Sequence, residues 1–534
     1  MKITFYGAAH EVTGSCTVVS ACGKNIMIDC GLEQGLDIYE NTELDINPAD
    51  IDFVLLTHAH IDHSGKIPAL TAKGFGGNIY ATNATRQLCG IMLLDSAHIQ
   101  EFEANWRNRK AKRSGKEPYV PLYTTADAVK SLDQFIGCDY GKEYKLCEGV
   151  KIEFTDAGHL LGSASISLTV NEDGNEKTIV FSGDLGNRNR PLIRDPGQPK
   201  RADYVVIEST YGNRLHGERP DYLTQLTSII QKTFDKKGNV IIPCFAIGRT
   251  QEMLYLIREI KEQGLIKGYP NFPVYVDSPL ATEATGIYSG ELHDYYDDEA
   301  LRLLEKGVNP IKFQNLRLSV TSDDSMKINR DNTPKIIISA SGMCEAGRIR
   351  HHLKHNLWRE ESTVLFVGYQ SEGSLGRSII EGSPTVKLFG ETIQVKANIE
   401  QLAGISGHAD KEILLDWLNG FEQKPSLVFV NHGDDTVCDE FAESIKSELS
   451  LDATAPYNGA VYDLASGECV IKGNTTRIKK SIAGNAFKDS SAFGKLLAAG
   501  KKLMSVIEKY RHGANKDITK FADSVDSLAE KWDK

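Results

Sequence analysis

The sequence predicts an α/β protein in which one α/β domain is inserted into another. Three observations predict it. Apolar strand-like runs end, again and again, in a metal-capable side chain with glycine close behind, at Asp29, His58, His159 and Asp184. That pattern stops near residue 212. Helical segments there alternate with strands such as Val240-Ile241-Ile242-Pro243 and Lys335-Ile336-Ile337-Ile338-Ser339, as in a separate parallel α/β unit. Near residue 395 the first style returns, in Ile405-Ser406-Gly407-His408-Ala409-Asp410 and Leu427-Val428-Phe429-Val430-Asn431-His432-Gly433. Domain termini usually lie close together, so a host tolerates such an insertion. The expected division is 1–211 for the first part of the host, 212–390 for the insertion, 391–460 for the host's return and 475–534 for a helical extension.

Composition narrows the class. A chain of 534 residues exceeds one ordinary core. Its 25% charged and 41% hydrophobic content is that of a soluble globular protein. No apolar run approaches the roughly 18–20 residues that span a bilayer. Met1–Gly7 goes straight into a strand without a signal-peptide pattern. Ten scattered cysteines without a Cys-x-x-Cys pair fit a reduced, cytoplasmic chain. The net charge of −11 argues against a uniformly basic nucleic-acid binder and leaves local basic patches open.

Taken in order, the first fifty residues read as strands joined by Gly-rich turns. Asp29 closes the strand Lys24–Ile28, either as a turn residue or as a partner behind metal ligands. The strand-like run Ile51–Leu56 then opens into Thr57-His58-Ala59-His60-Ile61-Asp62-His63-Ser64-Gly65. His58 and His60 project to one side of extended chain, while Asp62 and His63 open the next segment. Imidazoles and a carboxylate are ligands that Zn²⁺ accepts, and the offset second pair points to two ions. Residues 83–113 are expected to be helical through Ile91, Leu94, His98 and Phe102. The basic run Trp106–Lys116 is either a solvated face or a phosphate-attracting rim. His159 sits between Gly158 and Gly162, where little else blocks approach to a metal, and Asp184 follows Gly183. Tyr204–Glu208 is a further strand ending in an acid. The tail from about Thr475 is Lys/Ala-rich; a helix packed on the body, a dimer element or a basic tail are all open to it.

The set His58, His60, Asp62, His63, His159 and Asp184 resembles that of the metallo-β-lactamase fold, a four-layer αββα sandwich. In particular the chain resembles its β-CASP ribonuclease branch, in which a parallel α/β domain interrupts the sandwich. The likeness covers roughly residues 1–460 and is greatest to bacterial and archaeal relatives of the eukaryotic pre-mRNA 3′-end cleavage nuclease. Gly7–Cys16, Glu208–Gly212 and Ser339–Met343 support it. The resemblance implies two Zn²⁺ per chain: one held by His58, His60 and His159, the other by Asp62, His63 and His432, with Asp184 bridging. It also implies Glu208 and His408 in the acid motif and the histidine motif, with Asp62, Glu208 and His408 as catalytic residues. Hydrolysis would leave a 5′-phosphate and a 3′-hydroxyl.

Two Gly-rich turns in the insertion are candidates for phosphate or RNA binding: Ser339, Ser341, Gly342 and Arg348 in one, Gly373 and Arg377 in the other. Tyr211, Phe245 and Tyr369 are candidates for base stacking. The expected function is a zinc-dependent ribonuclease cutting RNA between the domains, with no membrane partner and a homodimer left open. The alternatives are a DNA nuclease of the same branch, a small-molecule hydrolase or a non-catalytic RNA-binding scaffold. In the DNA branch valine typically replaces the histidine at the position of His432, and a scaffold would lack ligands; here none is missing.

Overall fold

A computed structural model describes residues 1–34, 44, 46–111, 117–217, 220–290, 292–402, 404, 406–478, 503, 519 and 521–527. Residues 1–476 form one compact unit and 477–534 a second. Most of the expected extension, 475–534, lies outside the described residues; of those described in it, Leu503, Thr519 and Phe521–Ser527 are helical.

The host is built on two sheets packed face to face. One runs, in spatial order, Cys469–Ile471, Val461–Asp463, Lys2–Gly7, Cys16–Ala21, Lys24–Ile28, Phe53–Leu55, Asn78–Thr82, Phe135–Cys138. The other runs Ala453–Thr454, Leu427–Asn431, Tyr204–Glu208, Asn175–Phe181, Ala164–Glu172, Val150–Asp156, Glu143–Cys147. The two-residue alternation of strands explains the layering. Ile3, Phe5, Ile26 and Ile28 from the first sheet meet Ile166, Leu168, Val206 and Phe429 from the second in an inner core. The intervening residues Val205, Ile207, Val428 and Val430 point the other way, under Leu414, Trp417 and Phe441 of covering helices. Each such side chain contributes about 1.5–3 kcal/mol when fully buried. Helices on both outer faces complete an αββα sandwich.

The insertion has a six-stranded, all-parallel sheet ordered Leu316–Ser319, Val274–Asp277, Ile336–Ser339, Val240–Pro243, Thr363–Phe366, Asn398–Gln401. Its central strands are buried along their whole length, which is why they read as unbroken Ile/Val runs rather than alternating ones. The sheet takes its last strand from Asn398–Gln401, beyond the 390 limit expected from the pattern. The host sheet likewise continues past 460, through Val461–Asp463 and Cys469–Ile471.

One expectation needs correcting in detail. The helix Asn83–Ala111 forms, but Phe102 is 67% exposed and His98 is also exposed. The buried stripe is instead Leu88, Met92, Leu93, Ala97 and Ala104. Of the basic run, Trp106, Arg107 and Arg109 are exposed, and the side chains of 110–116 lie outside the described residues.

Candidate metal centre

The site forms where strand ends of both host sheets converge. His58 follows Phe53–Leu55, and Asp62 and His63 lie in the short helix Ile61–Ser64. Asp184 follows Asn175–Phe181, and His432 follows Leu427–Asn431. His159 comes from the turn joining Val150–Asp156 to Ala164–Glu172. Glu208 and His408 stand at the two crossings into and out of the insertion. They are brought together because Ala409 N–H donates to Leu185 O at 2.7 Å and Gly186 bridges to His408.

Two clusters result. In the first, His58 Nε2 lies 3.1 Å and His159 Nε2 3.2 Å from His60 Nδ1. In the second, His63 Nε2 and His432 Nε2 are 3.1 Å apart, with Asp62 Oδ2 3.7 Å from the latter. Asp184 stands between them. Its Oδ2 is 3.5 Å from His58 and 3.6 Å from His159; its Oδ1 is 3.3 Å from His63 and 3.6 Å from His432. That buried Oδ1 accepts no hydrogen bond among the described residues. A buried carboxylate oxygen without a donor, facing ring nitrogens that crowd one another, is what a cation resolves. The donor set, imidazole nitrogens and carboxylate oxygens, suits Zn²⁺. The residues present fit two divalent ions.

Protonation follows from the same packing. Burial, reinforced by neighbouring rings, pushes His58, His60 and His159 below the usual histidine range, toward the neutral ligand form. Burial alone would raise Asp62, but the hydrogen bond with His432 and the charge of His63 hold it at about 2. Asp184 is likewise held low against burial by His432, His63 and His58. His408 is opposed by burial and carried up to about 9 by Glu208, whose Oε2 lies 3.1 Å from His408 Nδ1.

A second ring of contacts orients these side chains. Asp29 Oδ2 lies 2.7 Å from His63 Nδ1, which turns Nε2 toward the cluster. Asp29 also accepts from Thr57 N–H at 2.9 Å and Ser15 Oγ at 3.2 Å. Thr57 Oγ1 stands 3.1 Å from His58 Nδ1, and Thr210 Oγ1 3.2 Å from His432 Nδ1. His159 Nδ1 reaches Gly407 O at 3.1 Å. Asp29→Asn is expected to weaken metal binding about 10–100-fold while leaving the fold intact; competition with a chromogenic chelator measures it.

Sequence reasoning missed Thr57, Thr210, Arg190 and Glu252. Thr57 was within reach, as the residue before a ligand at a strand end. Arg190 carried no signal, because its partners, three backbone carbonyls and the Glu252 carboxylate, come from segments distant in sequence.

The phosphate-binding candidates fall into two groups. The two Gly-rich turns do meet: Gln370 Nε2 donates to Gly342 O at 3.0 Å and Gly376 N–H to Met343 O at 3.2 Å. Gly342 packs so closely on Phe245 that a Cβ would lie 3.2 Å from its backbone nitrogen. The Ser341 hydroxyl makes long contacts with Ala346, at 3.3 Å, and Gly373 takes a left-handed φ of 79° with open space beside it. Arg377 pairs with Glu381 at 2.6 Å. Ser339 and Arg348 have other work. Ser339 Oγ donates to Asp277 O at 2.7 Å, and Arg348 binds Asp277 Oδ1 at 2.7 Å and Val320 O at 2.6 Å. Of the stacking candidates, Phe245 and Tyr369 are about half exposed. Arg214 lies 4.2 Å over the Tyr211 ring and 6.0 Å from that of Tyr369, and Tyr211 is 6.0 Å from the His408 ring.

Asp277 is the hub of that corner. Burial alone would raise its pKa, but His352 at 2.6 Å, Ser325 at 2.5 Å and Arg348 hold it at about 2. A depressed carboxylate stabilises the fold above its unfolded pKa, near 3.9, and that contribution is lost as pH falls through about 2. The destabilisation caused by Asp277→Asn should therefore be largest above pH ~4, on the order of 2 kcal/mol, and shrink toward pH ~2. Melting curves of both proteins across that range test it.

Comparison with known proteins agrees with the architecture. A family model described as the metallo-beta-lactamase superfamily matches residues 11–244, one described as the Beta-Casp domain matches 250–379, and one described as the Zn-dependent metallo-hydrolase RNA specificity domain matches 392–456. Ribonuclease TTHA0252 of Thermus thermophilus is 36% identical over 436 residues, 82% of this chain and 94% of that protein. Transcription termination factors FttA of Methanocaldococcus jannaschii and Methanosarcina mazei are 30% and 31% identical, each over 86% of this chain and 71% of the factor. No helix among the described residues is long and apolar enough to cross a membrane. Interrupted sandwich, converging histidines and sequence likeness along most of the chain agree: this protein belongs to the β-CASP ribonuclease family of the metallo-β-lactamase superfamily.

Proposed function

We propose that the protein is a zinc-dependent ribonuclease that hydrolyses RNA phosphodiester bonds with two metal ions, in the cleft between host and insertion. The observation that carries this reading is Asp184, whose two oxygens face two separate histidine clusters. His58, His60 and His159 would hold one ion, Asp62, His63 and His432 the other, with Asp184 shared. Bound there, two divalent ions supply Lewis acidity toward water and toward the phosphoryl oxygens.

The chain's own residues do the rest. Glu208 is fixed by accepting Leu185 N–H at 2.6 Å and orients the His408 ring through Nδ1. His408 Nε2 is then the atom left to give a proton to the departing 3′ oxygen. Tyr211, Arg214 and Tyr369 extend from His408 toward the insertion, as aromatic and cationic groups suited to bases and phosphates. The RNA preference is supported by the matched RNA specificity domain, by the ribonuclease relative and by His432.

The test is incubation of the zinc-loaded chain with end-labelled and internally labelled RNA and DNA, followed by sizing of products. RNA fragments with 5′-phosphates support the reading. Cleavage of DNA alone, or RNA binding without cleavage, overturns it. Mononucleotides released from the 5′ end would identify exonuclease action, and mid-chain fragments endonuclease action.

A further inference from the structure

Arg190 is 7% exposed and lies where the host meets the insertion. Its Nη1 donates to three carbonyls, Gly158 O at 3.2 Å, His159 O at 2.7 Å and Gly407 O at 3.1 Å. Its Nε donates at 2.8 Å to Glu252, in the insertion helix Arg249–Glu262. Glu252, 5% exposed, also binds Arg249. One guanidinium therefore ties together the turn bearing His159, the turn bearing His408 and the inserted unit.

The shared atom is Gly407 O. It accepts from Arg190 and also stands 3.1 Å from His159 Nδ1. That second contact directs His159 Nε2 toward His60 and Asp184. The next residue is His408, whose ring centroid is 4.5 Å from that of His159. The insertion touches the same turn twice more. Leu161 N–H donates to Tyr288 Oη at 3.4 Å, and a Cβ on Gly248, at the helix start, would meet Leu160 at 3.1 Å. A lysine could keep the charge pair with Glu252, but its point charge lacks the planar fork that reaches several acceptors.

We propose that Arg190, anchored by Glu252, is a positioning residue. It sets the placement of His159 relative to His408 and couples both to the inserted unit. The inference rests on the metal-centre reading above. Removing Glu252's charge leaves the buried Arg190 without its counter-charge, whereas removing Arg190 leaves Glu252 with Arg249, so both sides are tested, with a conservative variant on each.

The experiment compares Arg190→Lys, Arg190→Ala and Glu252→Gln with the unmodified chain. It measures zinc affinity by chelator competition without substrate, melting temperature, and kcat and KM on RNA. Arg190→Lys and Glu252→Gln should weaken one zinc equivalent and lower kcat, each by about 10–100-fold. KM should stay within about twofold, because the RNA-binding surface is untouched. Arg190 also lines a cavity of about 770 Å³, so the space left by Arg190→Ala is open to a small cation. Guanidinium at non-denaturing concentration should restore zinc affinity and kcat to that variant, and methylammonium should not. Wild-type zinc affinity in the Lys and Gln variants overturns the proposal. A general loss of melting temperature and RNA affinity that guanidinium does not reverse also overturns it, leaving the pair a strut between domains. Zinc affinity is read without RNA. An unmodified chain that binds zinc but does not cleave RNA would therefore sink the ribonuclease reading and leave Arg190 to be judged on zinc alone.

Discussion

Replacing Asp184 by asparagine is expected to abolish RNA cleavage while leaving RNA binding in place. The substitution keeps the shape but removes a carboxylate that faces both clusters, through Oδ2 toward His58 and His159 and Oδ1 toward His63 and His432. Metal assistance provides several kcal/mol of transition-state stabilisation, so the loss should be at least about 10³-fold in rate. Zinc stoichiometry should fall with it. Asp62→Asn perturbs one cluster only and should cost one ion. Metal analysis, a cleavage assay and an RNA-binding titration of each variant are the measurements. Undiminished cleavage by Asp184→Asn would end the two-metal reading.

His408→Ala should behave differently. General acid catalysis typically contributes about 10²–10⁴-fold, and kcat should drop by that amount. Zinc content should hold, since His408 Nδ1 is closer to Glu208 Oε2, at 3.1 Å, than to Asp184 Oδ2, at 3.9 Å. An alternative role is open to it, because Asp184, Glu208 and His408 also form a group capable of holding an ion. The leaving group separates the two roles. A substrate whose scissile 3′ oxygen is replaced by sulfur needs little protonation on departure. It should restore much of the rate to His408→Ala and none to Asp184→Asn. If His408→Ala instead loses zinc and gains nothing from sulfur, the ring is a ligand and not a proton donor. Glu208→Gln should show a smaller loss than His408→Ala, because the ring remains and only its orientation and charge support are removed.

Several residues of the candidate metal centre were legible because they obey a local rule. A strand ends, a metal-capable side chain follows and a small residue clears the approach, so His58, His159 and Asp184 stand out one at a time in the sequence, while the family resemblance supplied His432. The insertion was legible for a similar reason: the host's pattern of strand, metal-capable side chain and glycine stops near 212 and returns near 395, with helices alternating with strands between. Its limits were less so. Residues 391–401 carry the ordinary composition of a hairpin and an edge strand, and only pairing with Thr363–Phe366 assigns the last strand to the inserted sheet.

What the sequence by itself marked is which metal-capable side chains stand at strand ends and where one pattern of strands gives way to another, since both are written in short-range periodicity and residue type; the grouping of those side chains into a ligand set came from the family resemblance. What only the tertiary structure decided is how those groups are shared and oriented. Asp184 presents a different oxygen to each cluster, and Asp29 and Gly407 set the ring orientations of His63 and His159. Arg348, a phosphate candidate by composition, is committed to Asp277, whereas Arg190, without any local signal, joins three segments at the site. The physical reason is common to these cases. A side chain's hydrogen-bond capacity is fixed by its type, but its partner is chosen by what the fold brings within about 3 Å.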